Sequence, residues 1–381
     1  MRLLFASDSF KGTLTSEQTI SLLKKAAGEV FGECSCAGVI VADGGEGTTD
    51  AVLSASGGQR VTLTVHDPHM CQINAYYGKT DEKTAVMEMA AASGLTLIPE
   101  DARNPLKATS YGTGEMIRDA LDKGFQNIYI AIGGSATNDG GIGCIRALGA
   151  RLLDADGNEL EGFGEDLEKL ARIDVSGLDA RIKKTNITIM CDVNNPLCGE
   201  NGATYTFGAQ KGGSPEILNR LEEGMIRYRD LMRRDFGIDP DELAGGGAAG
   251  GLGTALMVFL GGKLQSGIEA VLDLIGFDKM LAQTDLVVTG EGRTDWQSCF
   301  GKVMQGVGEH CKKAGVPAVG LSGSLGEGAE QIFSHGIQSL MTTVDAPMEL
   351  SEAFERAEEL YYKGAVRMFR FIRTGMELSV M

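Results

Sequence analysis

No C-x-x-C pair occurs among the eight cysteines, and the four histidines, His66, His69, His310 and His335, are scattered. Zinc sites need such ligands clustered, so no zinc centre is expected, and the cysteines read as reduced thiols, many of them core packing. Basic charge is scarce as well. The formal net charge is −17, which argues against nucleic acid and anionic membrane as partners. It leaves an anionic small substrate open, because a few local Lys and Arg can dominate a binding site. The longest Gly/Ala-rich apolar stretch, AAGGLGTALMVFLGG, falls short of the ~20 residues that span a bilayer. The opening MRLLFASDSFKG holds too short an apolar run for a signal peptide. A soluble cytoplasmic protein is expected.

The familiar nucleotide and nucleophile motifs are also missing. There is no G-x-x-x-x-G-K-[ST], no H-R-D with D-F-G, and GGSAT lacks the G-x-S-x-G elbow. GGGAAG at 245–250 matches G-x-G-x-x-G formally, but it follows DPDELA rather than an apolar strand. A hinge or close helix packing explains it better than a dinucleotide site.

What the chain does have is glycine, 54 residues of it, about twice average usage, clustered in loops. The opening segments read β-α-β-α: RLLFAS, then TSEQTISLLKKAAGEVF with a capping box at Thr15 to Gln18, then GVIVA, then DGGEGTTDAVLSA. RVTLTVHDP, QINAYYGK and TAVMEMA follow as three strands in succession, which marks a change of domain or a mixed sheet. A helix near 109–123, the strand NIYIAI and a helix over IGCIRALGARLL come next, the last with Ile142, Ile145, Leu148 and Leu152 at helical spacing. SPEILNRLEEGMIRYRDLMRRDFG is a long amphipathic helix, and from about 285 the β-α rhythm returns, ending in one helix from Ser351 to about Ile372. The expected architecture is α/β in two domains. A discontinuous Rossmann/flavodoxin-like parallel-sheet domain spans 1–62 plus 286–381, and an inserted mixed-sheet α/β domain spans 63–285.

Five loops share one pattern: SDSFKG (7–12), ADGGEGTTD (42–50), GGSATNDGG (133–141), CDVNNPLCG (191–199) and TGEGRTDWQS (289–298). Each follows an expected strand, where open α/β sheets bind ligands. Together they carry Asp8, Asp43, Glu46, Asp139, Asp192, Glu291 and Asp295, with Lys11, Lys211, Arg293 and Lys302 as cations in these loops or beyond them. Phosphoryl transfer uses such an inventory: carboxylates for Mg²⁺, backbone N–H for phosphate, and Lys or Arg for developing charge.

These stretches resemble the bacterial-type glycerate kinase family. The matching segments are SDSFKGTLTS, VADGGEGTTDA, VMEMAAASGL, TSYGTGEMI, IGGSATNDGGIG, CDVNNPLCGENGATYTFGAQKG, GGGAAGGLG and LVVTGEGRTDWQSCFGKV, in family order and across essentially the whole chain. The resemblance implies ATP-dependent phosphorylation of D-glycerate with Mg²⁺, mostly at the 2-hydroxyl, and an active site between the two domains. One departure is local. In HDPHMCQI (66–73), His69 and Met70 stand where relatives usually carry the Leu and Gly of a DPLG-type turn.

On this reading Asp192, or Asp8, accepts the proton of the attacking hydroxyl, and Arg293 or Lys11 pairs with the glycerate carboxylate. Asp43, Glu46, Glu291 and Asp295 are the metal candidates. Lys211 or Lys302 steadies the γ-phosphate. Ser9, Gly133, Gly134, Ser135, Thr137, Asn138, Asn194, Gly247 and Gly250 are candidates for substrate or phosphate contact, while Asp139 fits substrate, metal or a helix cap. A homo-oligomer is compatible with the sequence. An NAD-dependent oxidoreductase would want a well-placed G-x-G-x-x-G and usually a catalytic His or Lys, and the histidines lie outside the glycine loops. A non-catalytic binding protein would have no use for the full set of carboxylates.

Overall fold

The computed structural model describes residues 1–10 and 12–380. Lys11, one of the expected cations, lies outside the described residues. Contacts group the chain into two compact units. The first comprises Met1–Asp43, Ser54–Ser56 and the chain from Val271 onward; the second comprises Gly44–Leu53 and Gly57–Ala270.

The first unit is built on a five-stranded sheet in the order Ile337–Thr342, Ala318–Ser322, Leu286–Thr289, Arg2–Phe5, Ser35–Gly38, parallel throughout. Counted along the chain this is the flavodoxin-like order 2-1-3-4-5. The strands Arg2–Phe5 and Leu286–Thr289 carry the apolar runs Leu3 to Phe5 and Leu286 to Val288 in register, Leu3 beside Leu286 and Phe5 beside Val288. Such runs suit strands covered on both faces. The helices Ser16–Phe31 and Ala357–Val380 contribute Leu23, Val30, Tyr361 and Phe369 to the core. The expected capping box is present: Thr15 N–H donates to Gln18 Oε1 at 2.8 Å, and Gln18 N–H to Thr15 Oγ1 at 3.3 Å. Two elements differ from expectation. The second strand is Ser35–Gly38 rather than GVIVA; its partner ends at Phe5, whose carbonyl takes one last bond from Val39 N–H at 2.9 Å. The closing helix is two, Leu350–Glu355 and Ala357–Val380, separated at Arg356 (φ −101°, ψ 14°).

The second unit carries a six-stranded mixed sheet in the order Lys263–Gln265, Asn186–Met190, Asn127–Ala131, Thr84–Glu88, Gln72–Lys79, Gln59–His66. The first four of these are parallel, and the last two join antiparallel as a hairpin. Its turn closes without the expected glycine. Asp67 accepts from His69 N–H at 2.8 Å and Cys71 N–H at 2.9 Å through its carboxylate, and from Met70 N–H at 3.0 Å through its carbonyl. Met70 is left in the left-handed region at φ 62°.

The helix after the loop 133–141 is shorter than its spacing suggests. It runs Ile142–Ala147, and Leu152 belongs to a short strand, Arg151–Leu153. Gly149 breaks the run at φ 104°, where a Cβ would sit 2.3 Å from the Gly177 carbonyl oxygen. Among the described residues no helix is long and apolar enough to cross a membrane.

Candidate active site

In the first unit the chain leaves Arg2–Phe5 and Leu286–Thr289 side by side, at the point where strand order reverses. Open α/β sheets bind ligands beyond the carboxyl ends of strands at such a point. A cavity of about 480 Å³ lies here, and Asp8, Asp43, Glu291, Arg293 and Lys302 line it. Ser9 lines it too, and its N–H donates to Asp8 Oδ1 at 2.6 Å.

Glu291 is held on several sides. It is 8 % exposed, and its Oε1 accepts from Thr294 Oγ1 at 3.0 Å and Ser298 Oγ at 2.5 Å. Thr294 and Ser322 hydroxyls lie 2.7 Å apart and extend the network to the neighbouring strand end. Burial pushes the Glu291 carboxyl up. The Ser298 and Thr294 hydroxyls and the Lys302 charge oppose that rise, and Asp8 adds to it.

Asp295 is occupied differently from expectation. Its Oδ1 caps the following turn by accepting from Gln297 N–H at 2.9 Å, and its Oδ2 is 3.4 Å from Arg293 Nε. The exposed Arg293 guanidinium nonetheless borders the cavity. Of the expected metal carboxylates, the cavity gathers Asp43 and Glu291 and adds Asp8. Glu46 lies exposed in the second unit. Among the described residues no three His, Cys, Asp or Glu side chains form a metal-binding group. Mg²⁺ on a nucleotide needs no such cage, because one or two carboxylates suffice alongside phosphate oxygens and water. Asp8, Asp43 and Glu291 fit that demand.

In the second unit the loop 133–141 has two faces. Gly133 and Gly134 are exposed, whereas Thr137, Asn138 and Asp139 are completely buried. Asp139 is the loop's internal fastener. It accepts from Ser110 N–H and Oγ, each at 2.7 Å, and from Gly141 N–H at 3.0 Å and Gly143 N–H at 3.3 Å. Burial raises its pKa against those hydrogen bonds.

Lys211 is buried beneath the same loop. Its ammonium donates to Ser135 Oγ at 2.9 Å and to the Thr137 carbonyl at 2.7 Å. Burial pulls its pKa down to about 7, with Asp139 opposing. Asn138 Nδ2 donates to Thr204 Oγ1 at 3.1 Å.

The glycine hub is filled by backbone. A Cβ on Gly250, at φ 67°, would stand 2.0 Å from the Thr137 carbonyl oxygen, and one on Gly247 would stand 2.1 Å from that of Pro196. Gly140 N–H donates to the Gly250 carbonyl at 2.9 Å. These glycines let the hub press against the loop 133–141 and the segment after Asp192. Asp192 is exposed, with Oδ1 accepting from Gly267 N–H at 3.1 Å at the start of the helix Gly267–Ile275, and Asn194 is exposed nearby.

Sequence reasoning passed over Glu88. It is half-buried at the end of Thr84–Glu88 and accepts from Gly47 N–H at 3.2 Å and Thr49 N–H at 2.8 Å. It thereby fixes the start of the helix after the loop that carries Asp43 and Glu46. Its signals were a lone carboxylate ending an apolar strand and its place in the segment VMEMAAASGL.

The family model described as "Glycerate kinase family" matches residues 3–373. The chain belongs to this family. Among its relatives, the glycerate 2-kinase of Escherichia coli K12 is 42% identical over 377 residues, covering 99% of both chains. The glycerate kinase of Bacillus subtilis 168 is 42% identical over 360 residues, covering 94% of both. A solved structure from Salmonella typhimurium LT2, assigned as glycerate kinase 2, superposes with a TM-score of 0.88 at 42% identity and 99% coverage of both chains. The two sheets described above are therefore those of a glycerate kinase fold, and the carboxylate-lined cavity lies in that setting.

Proposed function

We propose that this family member transfers the γ-phosphoryl group of ATP to the 2-hydroxyl of D-glycerate, and that the first unit's cavity carries the chemistry. The observation that supports this most is the gathering of Asp8, Asp43 and Glu291 with Arg293 and Lys302 at the strand-order reversal. A loose phosphoryl-transfer transition state asks for positioning and charge rather than a covalent partner. Bound Mg²⁺ would neutralise charge on the phosphate oxygens, with Asp43, Glu291 or Asp8 as its protein oxygens.

Lys302 holds the transferring phosphoryl group, and Arg293 pairs with the glycerate carboxylate through its planar fork. A carboxylate takes the hydroxyl proton. Asp192 and Asp8 are the two candidates: Asp8 lines the cavity, and Asp192 belongs to the second unit. In the second unit, the exposed backbone of Gly133 and Gly134 is the part of the loop 133–141 suited to an anion. Lys211, Ser135, Thr137 and Asn138 act beneath it by fixing its shape. The relatives named glycerate kinase and glycerate 2-kinase support the substrate and the 2-hydroxyl, and the domain division into a discontinuous parallel-sheet part and an inserted mixed-sheet part belongs to the same reading. A coupled assay for ADP release with D-glycerate and Mg-ATP tests it, and absence of glycerate-dependent ADP at millimolar substrate overturns it.

A further inference from the structure

We infer that the purine base of the nucleotide sits against the apolar wall of the first unit's cavity, with Phe354 and Leu350 as the side chains that hold it. This rests on the ATP-dependent reading above. The cavity's charged lining comes from the loops that follow strands. Its other wall is of a different kind, lined by Phe10, Leu14, Val344, Leu350, Phe354 and Leu360. A three-carbon hydroxy acid has no use for that much apolar surface, whereas a flat heterocycle joined to phosphates needs an apolar wall beside a charged one.

The rim of that wall is left open to water. Leu350 is 70% exposed and Phe354 49% exposed, although both line the cavity. Their helix, Leu350–Glu355, buries none of its residues. Large apolar side chains on a short exposed helix, turned to a cavity with charged lining, gain by being covered by a ligand rather than by the core. Ala353 and Ala357 also line the wall, and their small side chains leave room for a ring to lie flat.

Titration calorimetry with ADP and with inorganic pyrophosphate, both with Mg²⁺, tests this on the full chain. The wild type is expected to bind ADP about tenfold or more tightly than pyrophosphate, the difference being the base's contact with the wall. Ala353→Trp fills the wall and should bring ADP down to the affinity of pyrophosphate, leaving pyrophosphate binding unchanged. Phe354→Ala should cause a smaller loss in the same direction. Both positions lie on an exposed helix, and matched melting curves show that the variants fold. A wild type that turns over D-glycerate while both variants bind ADP as it does would overturn the placement of the base and leave the kinase reading standing. A wild type without glycerate-dependent ADP release would overturn the kinase reading itself.

Discussion

The Lys211 ammonium donates to the Thr137 carbonyl oxygen at 2.7 Å, fully buried beneath the loop 133–141. In the folded chain burial brings this lysine down to about 7, while in the unfolded chain it titrates near ~10.4. Between these values the unfolded chain holds a proton that the folded chain has released. Lys211 therefore makes stability rise with pH from about 7 up to its unfolded value. Below the folded value both forms are protonated, and the folded chain bears the full cost of a buried ammonium. Urea midpoints of the wild type should accordingly gain on those of Lys211→Met between pH 7 and pH 9. Parallel curves would show that Lys211 titrates normally.

Gly250 and Gly134 separate packing from ligand contact. Both have positive φ, 67° and 74°, but a Cβ on Gly250 meets backbone oxygen at 2.0 Å, whereas one on Gly134 meets only the Ala90 side chain at 3.4 Å. Gly250→Ala should cost roughly 2–4 kcal/mol of stability. Gly134→Ala should cost about 1 kcal/mol and show its main effect in the KM for ATP or D-glycerate. Melting curves and steady-state kinetics read the two effects separately; equal stability losses would contradict the packing account.

Met70 holds a left-handed conformation at φ 62° in the hairpin turn. Met70→Gly relieves that strain, which is worth about 1 kcal/mol, and should raise Tm by about 1 °C. Turnover should not change. A lower Tm would mean that the Met70 side chain contributes contacts that outweigh the strain.

Much of this arrangement is legible in the sequence, because strand ends are. RLLFAS and DLVVTGEG announce buried parallel strands, and the polar residues that follow them, Asp8 and Glu291, line one cavity. Residues whose partners are set by close backbone approach are not legible. Lys211 looks like a phosphate ligand until Ser135 and Thr137 are seen around it. The hub at 245–251 looks like a cradle until the Thr137 carbonyl is found in the space beside Gly250. Asp295 likewise reads as a metal ligand, although its geometry is that of a cap on the next turn. The apolar wall escapes notice because Leu350 and Phe354 belong to an ordinary amphipathic pattern and become unusual only when their exposure is known.

Asp192→Asn should lower kcat by about 10²–10⁴-fold if the carboxylate accepts the hydroxyl proton. Its hydrogen bond to Gly267 N–H is one that Asn can keep, and matched melting curves check that the variant folds. Wild-type-like turnover would remove Asp192 from this role, and Asp8→Asn, assayed in parallel, would then be expected to show the loss instead.

Phosphorus NMR of the product formed from D-glycerate and Mg-ATP tests the central claim most directly, because it reads acceptor, donor and position together. The account predicts 2-phosphoglycerate appearing in step with ADP. Formation of 3-phosphoglycerate, or ATP that stays intact in the presence of D-glycerate, would contradict it.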